Sequence, residues 1–455
     1  MESFDKLAGL PKLLTDNLKQ LQYTTMTPIQ ASTIPSLLEG KDIIAQAKTG
    51  SGKTAAFGIP SIHKIDTKRR NPQALILCPT RELADQVAKE LRRLARYKEN
   101  LKILTLCGGT PMRPQIASLE QGAHILVGTP GRLQDHLSRE TIYLKEIKTL
   151  ILDEADRMLD MGFYDEIRKI VTNIPGKRQS MLFSATYPEH IQKLSKEILN
   201  TPVMVKVDMD HSDTVIQELA FEISQHAKPE ALLSVLKSYK PSTAIIFCNT
   251  KAETVEITDF LRSKDFSALD LQGDLDQRER NETLLRFANG SARIMVATDV
   301  ASRGLDVKDV SLVVNYDLPH DPEVYIHRIG RTARAGAEGV AISLYTPRQK
   351  EKLREMAPSA QLLSLKALTV DRNFTLHADK ATLCIDGGKK NKIRPGDILG
   401  ALSKEIGIAG DQIGKIDIFD FHAYAAIDKK SIKKAFEGLK KGKIKGKKFR
   451  VWWLD

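Results

Sequence analysis

Short, almost wholly apolar runs, each closed by a polar cluster, recur along the first 205 residues. Ile43-Ile44-Ala45 leads into a Gly-rich stretch, and Ala74-Leu75-Ile76-Leu77 into Pro79-Thr80-Arg81-Glu82. His124-Ile125-Leu126-Val127 leads into Gly128-Thr129-Pro130-Gly131-Arg132. Thr149-Leu150-Ile151-Leu152 ends in Asp153-Glu154-Ala155-Asp156, and Met181-Leu182-Phe183 in Ser184-Ala185-Thr186. Unbroken apolar runs of this length, separated by helical stretches, predict parallel strands buried on both faces. The polar clusters then fall at the strands' carboxyl ends, where open α/β sheets bind ligands.

The pattern lapses over residues 206–215, which predicts a linker, and then resumes. Ala244–Phe247, Ala268–Leu271, Ile294–Ala297, Leu312–Val314 and Val340–Leu344 read as strands of a second α/β domain. A polar junction at 366–379 follows. Beyond it, Ala381–Ile385 reads as a strand, Gly396–Ile406 as a helix, and Lys415–Asp420 and Ala423–Ile427 as a strand pair. Ser431–Leu439 (helix) and Lys448–Trp453 (strand) complete a βαββαβ order. The expected domains are therefore 1–205, 216–365 and 380–455.

Chemistry concentrates first at Ala47-Lys48-Thr49-Gly50-Ser51-Gly52-Lys53-Thr54. Between a strand and a helix, Gly50 and Gly52 let backbone N–H groups turn toward phosphate oxygens, aided by the helix N-terminus. Lys53 can reach the β and γ phosphates, and the Thr54 hydroxyl can hold Mg²⁺. Ala47 stands where this motif usually has glycine. An acidic residue ending a buried strand complements such a loop: Asp153 is expected to hold Mg²⁺ and Glu154 to orient or deprotonate the attacking water. An acidic helix start is the ordinary alternative, and its pairing with the phosphate loop disfavours that. Upstream, the Gln30 amide can read adenine and an aromatic ring can stack on it. The second domain has no phosphate loop. It offers Thr298-Asp299-Val300-Ala301-Ser302-Arg303-Gly304-Leu305-Asp306 and His327-Arg328-Ile329-Gly330-Arg331-Thr332-Ala333-Arg334, whose arginines recur every third residue as arginine fingers can.

Composition narrows the class. The 455 residues exceed one ordinary domain, and no apolar run approaches membrane-spanning length. Glu2, Asp5 and Lys6 stand where an export signal would be apolar, so a cytoplasmic protein is expected. Cys78, Cys107, Cys248 and Cys384 are scattered without metal-ligand spacing and read as buried small hydrophobes. A net charge of +12 calls for a polyanionic partner.

Together these residues closely resemble the DEAD-box RNA helicases over about residues 1–365, and Asp153-Glu154-Ala155-Asp156 is the tetrad that names the family. Phe4 lies the family's usual distance before Gln22-Tyr23, which stands in for Gly-Phe, and Met26 replaces a proline; Gln30 is intact. Ala333 replaces a glycine of the last motif. The resemblance implies two RecA-like parallel-sheet domains and ATP with Mg²⁺ as cofactors. It implies adenine stacking by Tyr23 and coupling of hydrolysis to unwinding by Ser184, Thr186 and His327. Asp306 would contact the ribose, and Arg331 and Arg334 would be the fingers. RNA would lie on Pro79, Thr80, Arg81, Gly109, Thr129, Arg132, Gln277, Arg280 and Thr298.

The tail's element order fits an α+β domain like an RNA recognition motif. The usual stacking aromatics are largely absent, with Leu383 and Ile385 on the first strand. Its lysines (Lys429, Lys430, Lys433, Lys434, Lys447 and Lys448 among them) suit phosphate contact. In the branch of the family with such a tail, the tail grips a hairpin of large-subunit ribosomal RNA and the core remodels nearby helices. The expected partners are thus that RNA and pre-ribosomal particles, with no membrane and a monomeric protein.

Overall fold

The computed structural model describes residues 3–7, 9–47, 50–207, 216–299, 310–332 and 339–454. It divides into two compact units, taken in turn. The first is built on seven strands: β1 (Ile43–Gln46), β2 (Ala74–Leu77), β3 (Ile103–Leu106), β4 (Ile125–Gly128), β5 (Thr149–Asp153), β6 (Gln179–Ser184) and β7 (Val203–Lys206). They pair in parallel in the order β3-β4-β2-β5-β6-β1-β7. One apolar layer, including Ile29, Phe57 and Phe183, covers one face; a second, including Leu75, Leu150 and Met158, covers the other. The central strands are buried at every position, which is why their sequences do not alternate. The edge strands β3 and β7 are only partly covered, and they are the two that a search for unbroken apolar runs misses.

The second unit holds two sheets. Strands β8 (Ile216–Glu222), β9 (Ala244–Cys248), β10 (Ala268–Leu271), β11 (Ile294–Thr298), β12 (Leu312–Asn315), β13 (Gly339–Tyr345) and β14 (Gln361–Leu363) form a parallel sheet ordered β10-β11-β9-β12-β13-β8-β14. Taken position by position, this is the order of the first sheet. Strands β8 and β14 escape the sequence reading, one because Gln217 and Glu218 interrupt its apolar residues and one because it is only three residues long. Residues Leu368, Phe374 and Leu376 of the polar-looking 366–379 stretch pack on this sheet's core.

The tail's strands β15 (Lys380–Ile385), β16 (Ile413–Ile418), β17 (Ala423–Asp428) and β18 (Val451–Leu454) form an antiparallel sheet ordered β16-β17-β15-β18. The helix expected over 396–406 is an α-helix at Pro395–Gly400 running into a π-helical turn at Ala401–Glu405. Strand parity requires one correction. Leu383 and Ile385 face inward, in the core with Ile398 and Leu439. The outer face carries Thr382, Cys384, Tyr424 and Trp452, so aromatics are present there after all. That face is covered: Cys384, Tyr424, Trp452 and Leu454 pack around Leu285 of the Gln277–Ala288 helix. Asn289 Nδ2 donates to Thr382 Oγ1 at 3.0 Å, and Arg293 meets Asp379 at 2.8 Å.

Candidate nucleotide and RNA site

In the first unit, β1 ends at Gln46 and the Lys53–Lys64 helix begins after Gly52. Gly50 and Gly52 have φ of 86° and 92°, a region that costs an L-residue about 1–2 kcal/mol. Gly52 is needed for a second reason: a Cβ there would lie 2.5 Å from Gln30 Nε2 and 2.9 Å from Thr27 Oγ1. That contact is the splice between the upstream motif and the loop. Thr27 Oγ1 donates to Ser51 O at 2.7 Å and Gln30 Nε2 to Gly52 O at 3.1 Å, while Thr27 N donates to Gln30 Oε1 at 2.9 Å. The Thr-x-x-Gln spacing is a capping-box signature, so Thr27 was legible in sequence and overlooked. Tyr23 packs edge-to-face on Phe4, centroids 6.1 Å apart, and its hydroxyl donates to Glu90 Oε1 at 2.5 Å. Lys48 and Thr49 lie outside the described residues.

Lys53 is buried, with Nζ 3.0 Å from Ala47 O. Asp153 ends β5 and is buried, and its Oδ1 has no hydrogen-bond partner. Burial pushes its carboxyl up to about 7; the Lys53 charge opposes this and Glu154 reinforces it. An ionisable oxygen left bare inside a protein is costly, and a divalent cation would satisfy it. Glu154 has left-handed backbone (φ 54°, ψ 54°), and its Oε2 accepts from Arg157 Nη1 at 2.7 Å with both side chains buried. Such strain concentrates at functional sites.

The last residue of the tetrad, given no role by sequence, makes the most informative contacts. Asp156 Oδ2 accepts from Ala185 N (3.0 Å), Thr186 N (3.0 Å) and Thr186 Oγ1 (3.2 Å), and Asp156 N donates to Ser184 Oγ at 3.3 Å. Ala47 N donates to Ser184 O at 3.0 Å. Loop, tetrad and Ser184-Ala185-Thr186 are thus one hydrogen-bonded assembly at the carboxyl ends of β1, β5 and β6.

The expected RNA contacts occupy the other half of the same sheet edge, beyond β2, β3 and β4. Thr80 caps the Arg81–Leu94 helix through Leu83 N at 3.3 Å. Gly109 (φ 70°) lies directly against the Arg81 guanidinium, leaving no room for a Cβ. Arg132 Nη1 donates to Thr110 O at 3.0 Å, and Thr129 N to Leu106 O at 3.2 Å. Pro79 is buried just past β2.

In the second unit Gln277 and Arg280 sit in the first turns of the Gln277–Ala288 helix, and Thr298 ends β11, buried. His327 lies on the Pro322–Ile329 helix and Arg331 just beyond it, buried. Asp306 and Arg334 fall outside the described residues. Sequence reading missed Arg328, which organises this end of the sheet. Its buried guanidinium pairs with both Asp299 oxygens (2.6 and 2.7 Å) and donates to Asn249 Oδ1 (3.0 Å) and Asp317 O (2.5 Å). The four cysteines are buried and free. Lys429, Lys430, Lys433, Lys434, Lys447 and Lys448 are all exposed on the tail.

A buried lysine on a glycine loop beside a bare carboxylate, with strand-end hydroxyls bonded to the last acid of the same tetrad, defines a nucleotide-hydrolysing α/β protein. Residues 27–194 match the DEAD/DEAH box helicase family, 227–336 the helicase conserved C-terminal domain, and 382–452 the DbpA RNA binding domain. The chain is 50% identical to the ATP-dependent RNA helicase DbpA of Escherichia coli (strain K12), covering 99% of both chains. It is 43% identical to the ATP-dependent RNA helicase CshA of Listeria monocytogenes, over 80% of this chain and 71% of that one. Among solved structures, S. cerevisiae Dbp5 bound to RNA and ADP BeF3 aligns with a TM-score of 0.73 at 30% identity, over 80% of this chain and 96% of that one. The chain belongs to the DEAD-box family of ATP-dependent RNA helicases.

Proposed function

We propose that this helicase remodels large-subunit ribosomal RNA during ribosome assembly in the cytoplasm, its tail binding an rRNA hairpin while the core opens duplex nearby. The observation that carries the reading is full-length similarity to DbpA, including a tail that matches the DbpA RNA binding domain. The exposed lysines of that tail support phosphate contact. No helix among the described residues is long and apolar enough to cross a membrane.

In the core, Gln30 and Tyr23 hold the adenine, the loop from Ala47 to Thr54 and Lys53 cradle the phosphates, and Asp306 meets the ribose. Mg²⁺ would be held by Asp153 and Thr54, a role the partnerless Asp153 oxygen suits, and it would neutralise charge developing on the phosphates. Glu154 takes the proton of the attacking water, and Arg331 and Arg334 stabilise the transferring phosphoryl group. The contacts of Asp156 with Ala185 and Thr186 make Ser184 and Thr186 suited to pass the state of the site along β6. His327 joins them in coupling hydrolysis to unwinding. Pro79, Thr80, Arg81, Gly109, Thr129, Arg132, Gln277, Arg280 and Thr298 hold the RNA strand. The working boundaries are 1–205, 216–365 and 380–455.

The test is a competition titration of the large-subunit hairpin against a scrambled control, at two salt concentrations. Wild type should prefer the hairpin. Reversing Lys429, Lys430, Lys433 and Lys434 to glutamate should weaken binding and flatten the salt dependence by about 0.7 in slope per lost contact. Equal binding of the two RNAs by wild type rejects the ribosomal assignment.

A further inference from the structure

Where the tail sheet meets the second parallel sheet's Gln277–Ala288 helix, a cavity of about 330 Å³ opens, lined by Arg278, Asp386, His422, Arg450 and Trp452. Its volume falls in the range of small-ligand sites. Trp452 forms one wall, half-buried against Leu285 on one side. Two guanidinium groups flank the ring, that of Arg278 at 5.6 Å and that of Arg450 at 5.9 Å from its centroid. His422 stands edge-on at 6.1 Å, and its Nε2 lies 3.5 Å from Asp386 Oδ1 on the rim. Arg278 is steadied by Glu282 at 3.0 Å. Exposed Lys389 and Lys390 follow Asp386 along the chain.

An aromatic ring with two guanidiniums beside it meets the two requirements of single-stranded nucleic acid: a surface for a base and cations for its phosphate. We infer that this seam is a binding site for one unpaired ribonucleotide, its base against Trp452 and its phosphate on Arg278 and Arg450. The lining comes from both sides of the seam. Arg278 belongs to the helicase sheet's helix, adjacent in sequence to Gln277 and two residues from Arg280, whereas Arg450 and Trp452 belong to the tail. A strand held here bridges the tail's RNA to the helix that carries two of the core's expected RNA contacts. The site needs only the RNA binding of the family and stands apart from the ribosomal assignment.

The chain has two tryptophans, which makes the site observable. Trp453 packs on Phe436, centroids 4.7 Å apart on the other face of the sheet, so Trp453→Phe leaves Trp452 as the sole indole without emptying that contact. Titrating this full-length variant with a short single-stranded oligoribonucleotide should quench Trp452 emission saturably, and a blunt RNA duplex should not. Arg450→Glu, at an exposed position, should shift the quenching curve to about fivefold higher RNA or more. Trp452→Ala should weaken binding of the same oligonucleotide by about 5- to 150-fold, the range carried by one base–aromatic stack. Emission that stays constant at RNA concentrations saturating the stimulated ATPase overturns the site. So does equal quenching by the blunt duplex, or an Arg450→Glu curve that superimposes on the parent.

Discussion

The two parallel sheets share one strand order, yet one builds an open cradle and the other seals the equivalent place. In the first, Lys53 begins the helix after β1 and Asp153 ends β5, with one carboxylate oxygen bare. In the second, Lys228 begins the helix after β8 and Asp317 follows β12, and these two form a buried ion pair. The other Asp317 oxygen accepts from Asn249 N at 3.0 Å. Same scaffold, same residue types, opposite outcomes. The difference is satisfaction: a pair whose hydrogen bonds are complete is structural, and a buried group left incomplete waits for a ligand.

The sharpest way to probe the open side is Glu154→Gln. The amide can still accept from Arg157 and orient water but cannot take a proton, so single-turnover hydrolysis should fall by about 10²–10⁴ while ATP and RNA still bind. A wild-type rate would remove Glu154 from the chemistry.

The next effect contrasts the two lysines. Lys228→Met strips one partner from a buried pair and should destabilise the second unit by about 3–5 kcal/mol, read as a lower urea midpoint. Lys53→Met should cost less, about 1–2 kcal/mol, because what is lost is one hydrogen bond to Ala47 O and the attraction to Asp153, with no ion pair broken, but it should abolish ATP binding. Equal losses of stability would erase the distinction between cradle and seal.

The smallest effect has opposite signs on the two sides. Asp153→Asn removes a buried ionisable group that has a bare oxygen, and should stabilise the nucleotide-free protein by about 1 kcal/mol. Asp317→Asn deprives Lys228 of its counter-charge and should destabilise. Thermal unfolding of both variants without nucleotide checks this; shifts of the same sign would mean that burial alone governs both sites.

The chain's own pattern determined a good deal. Central strands buried on both faces must be written in unbroken apolar residues, so β2, β5, β9 and β11 could be placed to within a residue. The phosphate loop and acid tetrad were equally plain, because their chemistry is local and tied to short spacing. Tertiary structure alone decided the rest. Edge strands β3, β7 and β14, and the partly covered β8, carry weak patterns because much of their surface faces away from the core. Asp156 and Arg328 look like ordinary helix charges until folding brings Thr186 and Asp299 beside them, 30 and 29 positions away in sequence. The outer face of the tail sheet, with Tyr424 and Trp452, depends on strand parity and on the Gln277–Ala288 helix that packs against it. Contacts between residues far apart in sequence leave no periodicity to read, so they become visible only once the chain has closed on itself.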